Sequence, residues 1–405
     1  MTKPAASCGD RTAPRHRKFC VAGRAVLLRL ATAWILGLIA VTCTPRTLTP
    51  MESVPEAEAA SSVVVPSLLA LAPRHPSRVL RGDWEPPETL LLAYEHQWPH
   101  VLGELVAASR SDARVVVVLK PEQDREREVH RWLDTLDVET LVLQHDSPWI
   151  RDYGPFEVRD EDGRWRWADM AYDAERPLDD FLPEALGRLA GMTVERYRLY
   201  LDGGGLISNG AGHCAMTETS FSSFAGTAPL DTAIEAIEKL GCEVLTIVPP
   251  LSDEETGHID VLAQFLSAEV VAVAEIDAGT RPTDARALDR TVELLLAGAE
   301  HLKQRLRIVR VPLVVKDGTY FSYVNGTRLS RTFLVPAYLA VPEPLEALAY
   351  RRLESGLPRD VALAPVFVDE IVELGGAIHC VTLGVGTQLP EPPGRKSASE
   401  EELPL

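Results

Sequence analysis

The sequence predicts an α/β fold, because short apolar segments alternate with amphipathic, helix-like segments over most of its length. The composition of the 405 residues, 46% hydrophobic and 25% charged, is typical of a soluble globular protein and excludes collagen-like, coiled-coil and wholly disordered chains. Paired strands around Asp-Gly or Asn-Gly turns interrupt the alternation. The recurring unit is therefore expected to be a helix with several short strands.

The N-terminus has the pattern of an export signal. Seven Lys or Arg residues within 1–29 precede an apolar run from Leu30 to Val41. This run is shorter than a typical membrane-spanning helix. The segment ending in Cys43 resembles a lipobox, in which the cysteine is lipidated. We expect 1–43 to be a signal peptide or lipoprotein signal and the protein to be periplasmic or at the cell surface. The alternative is an uncleaved anchor or a cytoplasmic protein.

Composition also sets the limits of the folded part. Residues 44–80 are rich in Pro, Ala, Ser and Glu without a sustained period, which predicts a flexible linker. Residues 391–405 have the polar composition of a disordered tail. The catalytic domain is therefore expected over 81–390.

Within 81–390, apolar runs predict the strands and amphipathic runs predict the helices. Strands are expected at 89–94, 113–120, 139–144, 242–248, 270–276 and 307–314. Helices are expected at 99–109, 125–136, 230–240 and 284–304. Hairpins are expected at 155–170 around Asp162-Gly163 and at 206–218 around Asn209-Gly210.

Charge and cysteine content restrict the class of partner. The formal net charge of −18 argues against a nucleic-acid binder and favours cationic partners, although solubility alone would also explain it. Six cysteines without a CxxC pair argue against a zinc ribbon or a thioredoxin-like motif. Whether Cys214 and Cys242 form a disulfide stays open at this point.

Five polar segments lie beside turns, where α/β folds place functional side chains. They are SPWIRDYGP (147–155), LDGGGLISNG (201–210), ETGHID (255–260), SYVNG (322–326) and GGAIHC (375–380).

Each segment has a chemical and a merely structural interpretation. His258 and Asp260 would share one face if 261–265 continues as a strand, and could then act as acid/base and cation anchor. Asp152, close to Trp149, could bind a planar cation or only pair with a neighbouring arginine. Cys380 is either a nucleophile or an inert buried thiol.

Two other kinds of site are disfavoured by spacing. His213, His258, Asp260 and His379 could bind a metal, but no HExxH or HxH pattern occurs, and we expect no metal. A cysteine protease with Cys380 and His258 lacks the sequence surroundings of those families.

Taken in order, the motifs resemble those of the agmatine deiminase and bacterial peptidylarginine deiminase family, part of the guanidino-group-modifying enzyme superfamily. The resemblance covers about 82–390. The matching elements are Gly82-Asp83-Trp84-Glu85-Pro86, Trp149-Ile150-Arg151-Asp152-Tyr153-Gly154-Pro155, Gly204-Gly205-Leu206-Ile207-Ser208-Asn209-Gly210, Gly257-His258-Ile259-Asp260, Ser322-Tyr323-Val324-Asn325 and Gly375-Gly376-Ala377-Ile378-His379-Cys380.

The resemblance implies a pseudo-fivefold α/β propeller of ββαβ-type modules around a central acidic pocket. It implies that Asp152 and Asp260 clamp a guanidinium, that Cys380 attacks its carbon, and that His258 moves the protons. Asn325 and Asp202 match further substrate-binding positions, to which Trp149 is added. The implied reaction is hydrolytic deimination without any cofactor.

The resemblance leaves the substrate less certain than the reaction. Arg176 matches an arginine that contacts the substrate carboxylate in the peptidylarginine branch, while Ala174 replaces a second one. With the export signal, this favours arginine in peptides. The alternatives are agmatine, as in putrescine biosynthesis, and a non-catalytic surface lipoprotein that binds cationic peptides.

Overall fold

The computed structural model describes residues 66–71 and 78–390. The expected signal segment with Cys43, most of the expected linker and the expected tail lie outside the described residues. No helix within 66–71 and 78–390 is long and apolar enough to cross a membrane.

The helices of the described chain are α1 (Pro99–Ser109), α2 (Arg127–Leu136), α3 (Ile150–Tyr153), α4 (Pro177–Ala190), α5 (Glu218–Gly226), α6 (Leu230–Lys239), α7 (Pro282–His301), α8 (Glu343–Gly356) and α9 (Asp369–Val372). In α1, α4, α7 and α8 a proline occupies the first turn. Proline suits this position because its φ is already helical and its missing N–H is not needed there. Helix α4 ends at Gly191, whose left-handed φ of 64° favours glycine.

The strands, in chain order, are β1 (Leu68–Ala70), β2 (Val79–Leu80), β3 (Thr89–Ala93), β4 (Arg114–Leu119), β5 (Glu139–Val142), β6 (Phe156–Arg159), β7 (Trp165–Ala171), β8 (Val194–Tyr200), β9 (Ile207–Ser208), β10 (His213–Thr217), β11 (Val244–Val248), β12 (Ala263–Ser267), β13 (Val270–Glu275), β14 (Arg307–Lys316), β15 (Thr319–Ser322), β16 (Thr327–Arg328), β17 (Thr332–Ala337), β18 (Ala362–Phe367) and β19 (Leu383–Val385).

These strands form five sheets among the described residues. Their orders are β19-β3-β4-β5, β2-β6-β7-β8, β1-β11-β10-β9, β12-β13-β14-β15 and β16-β17-β18. Each sheet contains a parallel pair, namely β3–β4, β7–β8, β10–β11, β13–β14 or β17–β18. Parallel neighbours need a crossover connection, which explains the helix between the members of each pair.

An antiparallel strand precedes the parallel pair in four of the sheets: β6, β9, β12 and β16. In the remaining sheet β19, from the far end of the domain, lies antiparallel to β3. The unit is therefore strand, antiparallel strand, helix and parallel strand, and the last strand completes the first unit. Covered strands such as β3 and β11 are buried along their whole length, as expected where helices pack on a parallel sheet.

The strongest local patterns correctly predicted the elements. All six expected strands and all four expected helices are present, with ends displaced by a few residues at most. Both hairpins form, and Gly163 (φ 73°) and Gly210 (φ 69°) have the left-handed backbone that these turns require.

Two expectations need correction. His258 and Asp260 do not lie at the start of a strand: Ile259–Val261 form a 3₁₀ turn, closed by the Leu262 N–H donating to the Ile259 carbonyl at 2.9 Å, and β12 begins only at Ala263. The expected linker is also partly structured. β1 adds an edge strand beside β11, and β2 pairs with β6. Strands of two or three residues are too short to show a period in the sequence.

The open question about the cysteines is answered in this structure. Cys214 in β10 and Cys242 just before β11 form a disulfide, with both residues fully buried. Of the cysteines in the described part of the chain, only Cys380 is free.

Candidate active site

Chain segments from different sheets bring the predicted residues together. Asp152 lies in α3, Asp202 precedes the 3₁₀ turn Gly203–Gly205, and His258 begins the turn that carries Asp260. Asn325 follows β15, and Cys380 precedes β19. Each side chain is thus held at the end of a rigid element, as is common for functional residues.

His258 is surrounded by carboxylates. Its Nε2 lies 2.9 Å from Asp202 Oδ2, and its Nδ1 lies 3.7 Å from Asp152 Oδ1. Burial alone would lower the pKa of His258, but the charges of Asp152, Asp202 and Asp260 raise it to about 10. We therefore expect an imidazolium at neutral pH, with both ring nitrogens protonated. Asp202 is a partner of this imidazole, and its role in substrate binding stays a prediction.

Asp152 is held by backbone. The Gly204 N–H donates to its Oδ1 at 3.1 Å. Burial raises the pKa of Asp152 to about 7; His258 opposes that shift, and the neighbouring carboxylates of Asp202 and Asp260 add to it. Burial is thus the main cause of the raised pKa of Asp152, and the nearby carboxylates add to it.

Gly204 marks the point on which these groups converge. A Cβ added there would lie 2.8 Å from His258 Nδ1, 2.9 Å from Asp152 Oδ1 and 3.0 Å from Asp260 Oδ2. Only glycine lets the backbone pass so close without filling the space between the charged groups.

Cys380 lies beside Asp260. Its Sγ is 3.9 Å from Asp260 Oδ2 and 3.5 Å from Asn325 Nδ2. Burial, with the negative charges of Asp260 and Asp152, raises the pKa of the Cys380 thiol well above its usual value. The thiol is therefore protonated while no cation occupies the site.

Sequence reasoning missed the role of His379, which it considered only as a metal ligand. Its Nδ1 lies 2.7 Å from Asp260 Oδ2, and both side chains are buried. Asp260 Oδ1 is also buried and has no hydrogen-bond partner. The only signal in the sequence was that His379 immediately precedes Cys380.

Trp149 and Arg176, which were also predicted to bind substrate, lie in different surroundings. Trp149 packs on the segment before the nucleophile: a Cβ on Gly376 would lie 2.4 Å from its ring. Arg176 is at the start of α4, where its Nη1 donates to the Tyr172 hydroxyl at 3.1 Å. Its Nε also lies 3.7 Å from Asp173 Oδ2, so the contacts of Arg176 are with its own segment of the chain.

A cavity of about 270 Å³ lies beside Asn325 and Ala377, close to the nucleophile segment. Its lining contains no Lys or Arg and includes the acidic residues Asp253, Glu254, Glu255, Asp317 and Glu373. A cation is the ligand that such a lining favours.

The residues that were considered as metal ligands do not all lie together. His213 lies away from this group, with its Nε2 2.9 Å from the Thr246 hydroxyl inside a sheet. Within the described ranges, no three His, Cys, Asp or Glu side chains are arranged to hold a metal ion.

Comparison with known proteins places this site in a family. The profile of the family described as Porphyromonas-type peptidyl-arginine deiminase matches residues 79–385, which include every residue of the site. The chain belongs to this family.

Relatives of this protein agree with its assignment to the deiminase family. An agmatine deiminase of Stutzerimonas stutzeri is 24% identical over 363 residues, covering 78% of this chain and 97% of its own. The solved agmatine deiminase of Enterococcus faecalis has a TM-score of 0.68 at 19% identity, covering 78% of this chain and 98% of its own. That of C. jejuni has a TM-score of 0.64 at 18% identity, covering 77% and 97%.

These findings confirm the family that the motifs predicted, and they confirm the predicted α/β propeller fold. The reaction class is confirmed at the level of the family, a hydrolase of C–N bonds in guanidino groups. The three relatives described above are named as agmatine deiminases.

Proposed function

We propose that this protein hydrolyses one C–N bond of a small guanidine, with Cys380 as the nucleophile. The observation that carries the proposal is the convergence of His258, Asp152 and Asp260 within 3.0 Å of one point at Gly204, with the Cys380 thiol beside Asp260. A guanidinium is planar and permanently charged, so carboxylates on its edges can bind it and orient its carbon toward sulfur.

Binding of the guanidinium also activates the thiol. Before a cation binds, burial and two carboxylates oppose the thiolate. A bound cation offsets those charges, so the thiol gives its proton to water as the substrate binds. The thiolate then bonds to the guanidinium carbon and forms a tetrahedral adduct. Asn325, whose Nδ2 lies 3.5 Å from Sγ, is next to the sulfur in this step.

His258 supplies the proton transfers. Its Nδ1 faces Asp152 and the Gly204 backbone, whereas Nε2 is fixed by Asp202. As the imidazolium it protonates the departing nitrogen, the C–N bond breaks, and ammonia leaves an S-alkylthiouronium on Cys380. The neutral imidazole then takes a proton from water as the water oxygen bonds to the same carbon. Cleavage of the C–S bond returns the thiolate and releases a ureido product.

The substrate that we propose is a guanidine with an ammonium tail, of the agmatine class. The acidic cavity beside Asn325 supports this choice, because several carboxylates and no Lys or Arg line it, although Asp253 is paired with Arg281. The relatives named as agmatine deiminases support it as well.

Arginine in peptides is the second candidate. The family description names peptidyl-arginine, and Arg176 has 39% of its side chain exposed near Tyr172, where a substrate carboxylate could reach it. The agmatine class remains the first choice, because Arg176 is outside the group of side chains that converge at Gly204.

The test is a substrate panel on the purified protein, with ammonia and ureido product both measured. Agmatine should be turned over faster than free arginine or arginyl peptides, and Cys380→Ala should be inactive. The double variant Asp317→Asn/Glu373→Gln should raise KM for agmatine but leave KM for butylguanidine, which lacks the ammonium, unchanged. Faster turnover of peptides would favour the second candidate, and no turnover of any guanidine would favour the non-catalytic binder.

We also propose that the protein is exported. The basic and apolar segments before Cys43 support this, and so does the buried Cys214–Cys242 disulfide. Disulfides persist in oxidising compartments and are rare in the cytosol of mesophiles.

A further inference from the structure

The buried pair of His379 and Asp260 is not explained by the roles assigned above. The distance of 2.7 Å between Nδ1 and Oδ2 is shorter than the other active-site contacts of His258 and Cys380. Asp260 is completely buried, and its Oδ2 also lies 3.9 Å from Cys380 Sγ and 3.0 Å from the position of a Cβ added to Gly204. A buried carboxylate oxygen without a donor would be costly, so this contact fixes which oxygen faces which neighbour.

The backbone of His379 is fixed as firmly as its ring. Its N–H donates to Asn325 Oδ1 at 3.1 Å, and the amide nitrogen of Asn325 is 3.5 Å from Cys380 Sγ. His379 therefore connects the carboxylate that binds substrate with the amide beside the nucleophile. Its position is determined at both ends.

The charge state of His379 matters for this arrangement. Burial lowers the pKa of His379 to about 4, and the positive charge of Arg151 contributes to that shift. A neutral imidazole that donates from Nδ1 can hold Asp260 without cancelling its negative charge, whereas Lys or Arg would neutralise it.

We propose that His379 is a positioning residue for substrate binding: its Nδ1–H donates to Asp260 Oδ2 and thereby holds that oxygen toward the point at Gly204 where the guanidinium binds. A carboxylate oxygen has two lone pairs, so Oδ2 can accept from His379 and from a substrate N–H at the same time. This inference rests on the proposed deimination and adds a residue to it.

The test compares His379→Leu with His379→Asn, whose amide nitrogen can replace Nδ1 as the donor to Oδ2. We expect His379→Leu to raise KM for agmatine by roughly 10- to 100-fold, the worth of a hydrogen bond to a charged group. His379→Asn should recover most of that loss. Agmatine binding to the Cys380→Ala protein, measured by calorimetry, should weaken by the same factor when His379→Leu is added.

A double-mutant cycle separates positioning from general damage. In an Asp260→Asn protein, His379→Leu should have little further effect on agmatine binding, because the carboxylate that it positions is gone. Thermal unfolding midpoints of all variants show whether each is folded.

Unchanged binding in His379→Leu, no recovery by His379→Asn, or additive effects with Asp260→Asn would each overturn the inference. The unmodified protein is assayed first with the full substrate panel. If it deiminates no guanidine, the proposed function fails, whereas normal turnover with unaffected His379 variants contradicts the positioning role alone.

Discussion

At the scale of single residues, the site is an electrostatic arrangement that is incomplete without a cation. Three acids surround His258, of which Asp260 is fully buried and Asp152 and Asp202 are partly buried. Two of them, Asp152 and Asp260, also oppose ionisation of Cys380. The same charges that keep His258 protonated keep the thiol protonated. One guanidinium relieves this crowding, so recognition and activation of the nucleophile are one event.

The pH dependence follows from Asp152. Its pKa of about 7 means that it is protonated, and unable to clamp a cation fully, at lower pH. Because kcat/KM reports the free enzyme, kcat/KM for agmatine should rise with pH through about 7. The acid limb of kcat should lie lower, since bound guanidinium favours the ionised carboxyl.

A variant of Asp202 tests whether Asp152 is the group that titrates. Asp202 raises the pKa of Asp152, so Asp202→Asn should move the acid limb of kcat/KM to lower pH, whatever its effect on the maximum rate. A limb that stays in place would show that another group titrates.

Gly204 gives a steric prediction. Gly204→Ala should lower kcat/KM by about 100-fold while the protein stays folded, because a Cβ there displaces charged groups by a fraction of an ångström to about 1 Å. Gly226→Ala is the matched control: no atom lies within 4 Å of its added Cβ. Equal activities of the two variants would contradict the convergence of the site on Gly204.

At the scale of elements, short turns aim the reactive side chains. The 3₁₀ turn Ile259–Val261 brings His258 and Asp260 into one pocket, which a strand was expected to do by alternation. The turn is itself fixed from α5: the Thr217 hydroxyl, at the start of that helix, donates to the Gly257 carbonyl. The disulfide lies in the same sheet as Thr217 and links the strand that carries it to the next.

The disulfide should contribute to stability. It joins residues 28 apart in the chain, for which loop-closure entropy predicts about 3–4 kcal/mol. Cys214→Ala/Cys242→Ala should lower the free energy of unfolding in urea by roughly that amount. Dithiothreitol should destabilise the unmodified protein and leave the double variant unaffected. Equal unfolding midpoints for oxidised and reduced protein would contradict this.

At the scale of the whole molecule, the fold joins its ends at the site. β19 completes the sheet of β3, and the Arg151 N–H donates to the Cys380 carbonyl at 3.2 Å. The nucleophile near the C-terminus is thereby held against α3 from the first half of the domain. Since each part of the site comes from a different unit, no single unit could bind and react with a guanidinium.

Export is also a property of the whole chain, and it can be tested directly. Mass spectrometry of the protein from its native host should find the segment before Cys43 removed, with lipid on Cys43 if the lipobox is used. Thr2 or Met1 intact on cytoplasmic protein would contradict the proposal.

The sequence by itself determined the elements and the identity of the reactive groups. The strands at 89–94 and 270–276 are apolar runs, and the hairpins at 155–170 and 206–218 depend on left-handed glycines. Such signals are local, since they arise from side chains and backbone within a few residues of one another. The ordered motifs also indicated Cys380, His258, Asp152 and Asp260 as one group, which the structure brings together.

Only the tertiary structure decided how those groups act on one another. Asp202 and His258 are 56 residues apart, and Asp260 and His379 are 119 apart, so no local pattern could reveal either pair. The disulfide and the pairing of β1 with β11 are equally remote. Burial and the distances between charges set the pKa of each group, and both exist only once distant segments have packed together.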